Sequence, residues 1–145
     1  MGGRDGNHRR GFAKVPHAIL EELWCGDTRR SENAMIDLYI LNHTSWGPFN
    51  WFYWDRFGNR REVRPERGQA PLCEREMVRE LRLGHKKVRV RIATLVGEGI
   101  LKSMGRVGKT YGTIYQVEIE RFSEFVARGQ SRVSKRAQQR QTRIR

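Results

Sequence analysis

The sequence predicts an α+β fold of three to four helices with a small antiparallel sheet, and three observations lead there. Apolar residues recur at helical spacing in four stretches between Pro16 and Val96. Strand-like alternation, apolar then polar, follows from Tyr111 to Ile119. Glycines punctuate the breaks between these stretches, at Gly26, Gly84, Gly97 and Gly99.

Residues 1–11 are rich in glycine and basic residues and are expected to be a flexible N-terminus. Val15-Pro16 then introduces a short helix, with Pro16 near its first position, where a missing N–H costs nothing. Ile19, Leu20, Leu23 and Trp24 form its apolar face. Gly26-Asp27-Thr28 makes a break, and Ser31 is placed to cap a second helix running to about His43. Ala34, Met35, Leu38 and Leu41 are its expected buried residues, with Tyr39 and Ile40 beside them. Residues 46–57, WGPFNWFYWDRF, hold seven aromatic residues and three of the four tryptophans. With Asp55 to Asn59 reading as a turn, a hairpin or aromatic-rich loop is expected. Its rings either close a small core from the side, or serve a partner surface or base stacking.

The segment 67–120 is the most informative. After a short strand, Cys73 to Arg82 reads as a helix with Met77, Val78 and Leu81 on one stripe and Glu74 and Glu76 in the first turn. Leu83-Gly84 ends it, with Gly84 suited to a left-handed residue. The next helix runs from about His85 to Val96, and Val88, Ile92 and Leu95 share its apolar seam. Lys86, Lys87, Arg89, Val90, Arg91 and Thr94 occupy the other faces, and four of these six are cationic. Ile100-Leu101 then opens a strand, the loop SMGRVGKTYG carries Arg106 and Lys109, and Tyr111, Thr113, Tyr115, Val117 and Ile119 alternate. Strand, helix, tight turn, basic helix and hairpin, in that order, are the layout of a winged helix-turn-helix, whose second helix enters the DNA major groove. A solvated charged face on an ordinary helical hairpin is the plainer alternative. The hairpin with its basic tip weighs against it.

Gly108-Lys109-Thr110 resembles the end of a phosphate-binding loop, but its first glycine position is Ser103 and a strand, not a helix, is expected to follow. Asp27, Asp37, Asp55 and Glu62 form no spaced acid cluster, and Cys73 and His85 read as helix-start residues and not as nucleophile and base. No enzymatic activity and no cofactor are expected.

The 145 residues carry a formal charge of +13, which points to a polyanionic partner. Much of it lies in the last stretch, GQSRVSKRAQQRQTRIR, with six basic residues and no acid. Residues 121–145 are therefore expected to be a short helix followed by a disordered basic tail. Cys25 and Cys73 have no metal-ligand spacing with His8, His17, His43 or His85. Without an apolar stretch of membrane-spanning length or an apolar leader segment, a cytoplasmic protein with no membrane association is expected. The organisation read from these features is a basic N-terminus, a domain over 12–120 with an aromatic-rich insert at 46–62, and the tail.

This order resembles the amino-terminal winged-helix domain of phage and plasmid replication initiators and replisome organisers. The matching residues are Phe12, Lys14, Pro16, Leu20 and Trp24; Arg67, Gly68 and Gln69; Leu83 and Gly84; Val88, Leu95, Gly99 and Ile100; and Tyr111, Thr113 and Ile114. Leu41 to Gly47 also resembles the helix-end motif of lambdoid replication protein O. The resemblance covers residues 12–120. It implies sequence-specific binding of double-stranded DNA in replication initiation, with a helicase or helicase loader as a further partner. Two features depart from the pattern. Cys73 and His85 stand where Ser or Thr usually caps a helix, and a basic tail follows where such initiators carry a recruiting domain.

On this reading Lys86, Lys87, Arg89, Val90, Arg91 and Thr94 face base edges, where Arg and Lys suit guanine and Thr94 suits a thymine methyl. Arg106, Lys109, Arg132, Lys135 and Arg136 hold phosphates. Two other functions fit the same residues. One is a small winged-helix transcriptional regulator, for which a dimer on a palindrome is expected. The other is an RNA-binding accessory protein using the aromatic run and the tail.

Overall fold

A computed structural model describes residues 14–47, 50–55, 57–107 and 112–144. Among them the chain is α+β, with five helices and two small antiparallel sheets. The expected flexibility of residues 1–11, the phosphate-loop-like Gly108-Lys109-Thr110, the hairpin-tip Lys109 and the alternating Tyr111 lie outside the described residues.

Helix α1 (His17–Leu23) has Pro16 as its N-cap, one position earlier than expected. It buries Ile19, and Leu20 and Leu23 are half-buried. Trp24 is not on a buried face. The helix ends at Leu23, leaving Trp24 as its C-cap with 77% of its surface exposed. Helix α2 (Thr28–Asn42) is started by Asp27, whose carboxylate accepts from the Arg30 backbone N–H at 3.0 Å. Asp27 thereby takes the role expected of Ser31. Ser31 instead donates its hydroxyl to the Leu23 carbonyl at 2.8 Å, satisfying an open carbonyl at the end of α1. The buried stripe of α2 also differs from the expected one. Ala34, Ile36, Asp37, Ile40 and Leu41 are buried, while Met35 and Leu38 are half-buried.

The aromatic run forms a hairpin, with β1 (Trp51–Trp54) pairing antiparallel with β2 (Arg60–Val63). Its rings divide between the core and the surface. Trp51 is buried, whereas Trp54 and Phe57 are 58% and 72% exposed. Strand β3 (Gln69–Leu72) follows, buried at every residue. Helices α3 (Glu74–Leu81) and α4 (His85–Gly97) are separated by Arg82-Leu83-Gly84. The left-handed residue of this turn is Arg82, at φ 56°, and not Gly84, which is extended and serves as the N-cap of α4.

Strands β4 (Leu101–Val107) and β5 (Gly112–Val117) form the second hairpin, and β3 adds to its far edge, giving the antiparallel order β3-β5-β4. Gly112 is demanded by the β3–β5 approach, since a Cβ there would lie 1.9 Å from the Leu72 carbonyl oxygen. Ile119, expected to close the alternating strand, instead opens helix α5 (Ile119–Ile144).

Helix α5 departs most from expectation, because the helix continues through the region expected to be a disordered tail. Phe122 and Val126 anchor its first turns in the core. Beyond Gly129 the residues are mainly Arg, Lys, Gln, Ala and Ser with no proline, so a nucleated helix can propagate. Residues 131–140 are all exposed.

One main core joins α1, α2, β3, α3, α4, β5 and α5 through Ile19, Ile40, Leu72, Met77, Ile92, Val117 and Phe122. A smaller cluster of Trp51 and Val107, with Tyr53, Val63, Cys73 and Ile114, seats the β1–β2 hairpin beside the β4–β5 hairpin. No helix among the described residues is long and apolar enough to cross a membrane.

Candidate nucleic-acid interface

Helix α4 is held by its apolar seam. Val88, Ile92 and Leu95 are buried as their spacing predicts, which turns the opposite side outward. Lys86, Arg89, Val90 and Thr94 are exposed there, and Val90 shows 53% of its surface. The Thr94 hydroxyl donates to the Val90 carbonyl at 2.9 Å, so its methyl and Val90 offer apolar surface between the cations. Lys87 is half-buried, and its Nζ reaches the Arg29 carbonyl at 3.4 Å.

Arg91 does not share this outward face. Its Nε and Nη2 donate to the two carboxylate oxygens of Asp37 at 2.8 and 2.6 Å, and its guanidinium lies 5.4 Å from the Phe125 ring centroid. The expectation that Arg91 reads bases therefore gives way to a clamp joining α2, α4 and α5. Burial holds the Asp37 carboxyl above its ordinary range, and the hydrogen bonds and charge of Arg91 pull it back down.

Arg89 and Arg106 line one cleft of about 320 Å³ between the starts of α3 and α4 and the β4–β5 hairpin. Arg75, Glu74, His85, Thr113 and Tyr115 complete much of its wall. Glu74 lies 3.3 Å from the His85 ring Nε2 and 3.9 Å from Arg89 Nε, so an acid from α3 orients the two residues at the start of α4. Burial raises the Tyr115 phenol above its ordinary pKa. Arg106 is exposed on β4, near the hairpin tip.

Arg132, Lys135 and Arg136 are exposed on α5. Arg132 also lines a second cleft of about 210 Å³, with Arg30, Asp37, Arg91 and Phe125. Arg30 is held there by both carboxylate oxygens of Glu22, which raises its pKa further and fixes α1 against α2.

The candidate residues thus fall into three groups: the outer face of α4, the cleft joining Arg89 to Arg106, and the projecting part of α5. Sequence reasoning missed Arg29, Arg75 and Glu74 as neighbours of the first two groups. Asp37 carried a usable signal, since it lies three residues after Ala34 and four before Leu41 on the expected apolar face, where an acid needs an inward cation. The chain matches no protein-family model, no curated protein and no solved structure.

Proposed function

We propose that the chain is a winged helix-turn-helix protein that binds double-stranded DNA by sequence, with α4 as the helix that enters the major groove. The observation that carries this reading is the outer side of α4. Lys86, Arg89, Val90 and Thr94 are exposed on a helix whose other side is locked into the core, and the helix itself carries no acid. Direct readout needs such a rigidly mounted helix, with donors for guanine and small apolar groups for thymine.

Three further features support the reading. The order strand, helix, three-residue turn, helix, hairpin and the sheet order β3-β5-β4 suit a wing placed beside α4. Arg106 is exposed on that hairpin, where a phosphate backbone would pass. The basic stretch of α5 adds sequence-independent attraction. A role at a replication origin of a phage or plasmid comes from the resemblance of residues 12–120 to initiator domains.

Selection from a pool of random duplexes, followed by footprinting of the enriched sequence, tests the proposal. An enriched motif protected over one face of the duplex is expected, arranged as tandem direct repeats where an origin is the target. Equal retention of all duplexes, with competition by heparin as strong as by the selected DNA, would overturn sequence-specific binding.

A further inference from the structure

The β1–β2 hairpin has two unlike faces. Opposite residues in an antiparallel pair share a face, so Trp51 and Val63 point the same way, as do Trp54 and Arg60. Trp51, Tyr53 and Val63 belong to the inner face, packed with Val107 and Ile114 of the β4–β5 hairpin. Phe52, Trp54, Arg60 and Glu62 form the outer face. There the Arg60 guanidinium lies 4.0 Å from the Phe52 ring centroid and Trp54 is exposed, and Phe57 is exposed in the turn that joins the two strands.

We infer that this outer face, built from Trp54 and the Arg60–Phe52 stack with Phe57 exposed in the adjoining turn, binds unpaired nucleobases. The inference rests on the DNA-binding reading above and extends it to a separated strand. Planar rings and a stacked guanidinium offer π-surfaces that every base can use, without the edge-specific hydrogen bonds of duplex readout. The charge suits a nucleic acid. Arg60 lies on the face and Arg64 is exposed directly after β2, while Glu62 sits opposite Phe52, at the end away from the turn. An apolar protein partner would use the same rings but gains nothing from the arginines.

Fluorescence anisotropy of the full chain with labelled oligothymidine of about 12 nucleotides tests the inference, with oligouridine, a paired duplex and a duplex holding an unpaired bubble as parallel arms. The thymidine and uridine arms distinguish a DNA strand from RNA as the source of the unpaired bases. The wild-type chain is expected to bind the single strand and to prefer the bubble over the paired duplex. The Trp54→Ala/Phe57→Ala variant is expected to weaken single-strand binding by about tenfold or more, with paired-duplex affinity unchanged. Trp54→Phe, which keeps a ring, is expected to retain most of it. Both variants alter exposed side chains, and matching thermal unfolding curves will establish that they fold. Duplex binding by the wild type without single-strand binding would overturn this inference and leave the duplex reading standing. Binding to neither would overturn both. Unchanged single-strand binding in the folded double variant would overturn it too.

Discussion

Arg91 and Asp37 meet through two parallel hydrogen bonds across the α2–α4 contact, with 12% and 2% of their side chains exposed. A carboxylate this deep needs its partner, since the lone charge has no water to solvate it. Removing one member by Asp37→Ala or Arg91→Ala is expected to cost about 3–5 kcal/mol in urea unfolding. The pair Asp37→Leu/Arg91→Met should recover much of that loss, because it leaves no unpaired buried charge. Arg91→Met with full stability but weakened DNA binding would contradict the clamp and return Arg91 to the groove.

Arg89 is the cation most exposed to a different fate. It stands on the outer face of α4 within 3.9 Å of Glu74, an exposed pair that contributes little to stability. Arg89→Ala is therefore expected to leave unfolding within about 0.5 kcal/mol of wild type. Binding to the selected duplex should weaken by about 1–3 kcal/mol, with discrimination relaxed at one base position, read by competition against singly mismatched duplexes. Equal weakening on every duplex would make Arg89 a phosphate contact.

The projecting half of α5 should behave in the opposite way. Residues 131–140 are exposed, and Arg132 with Arg136, then Arg136 with Arg140, place like charges one turn apart. Phosphates relieve that repulsion. Deleting residues 131–145 keeps Phe122, Val126 and the Gln130 hydrogen bond to the Ala18 carbonyl, so the domain should stay folded. Affinity should fall alike for all duplexes. The slope of log affinity against log salt should drop by about 0.9 for each phosphate that the helix no longer neutralises. An unchanged salt slope would remove α5 from the interface.

The limits of the sequence reading have local physical causes. The seam of α4 is legible because Val88, Ile92 and Leu95 repeat at helical spacing with charges between them. The inward turn of Arg91 is not, although position 91 lies three residues from Val88 and four from Leu95, on the flank of that seam. What decides it is Asp37, 54 residues away in sequence. Each misplaced cap traces to one competing residue. Asp27 outranks Ser31 because its carboxylate reaches the N–H of Arg30, and Arg82 enters the left-handed region although Gly84 stands two residues on. In the tail, charge argues for disorder, while the helix-forming residues and the Phe122 anchor argue for a helix.

Asp55 offers a pH test confined to one hairpin. Its carboxylate accepts from the backbone N–H groups of Asn59 and Phe57, each at 2.9 Å, and from Arg61 Nε at 2.9 Å. The Asn59 hydrogen bond leads in holding its pKa below the ordinary 3.8, with Arg61 and Phe57 adding to it. A folded-state pKa below the unfolded value gives stability that is present above the unfolded pKa. It is lost as pH falls through the folded one. The β1–β2 turn should therefore hold at neutral pH and loosen below about pH 4. Trp54 is close to that turn and exposed, so the difference in fluorescence between wild type and Trp54→Phe isolates its signal. That signal should change in the acid window ahead of the far-ultraviolet circular dichroism of the helices. In Asp55→Asn the amide oxygen can still accept from the backbone but cannot titrate, so the acid transition at Trp54 should disappear. A Trp54 transition that survives in Asp55→Asn would place the acid sensitivity elsewhere in the fold.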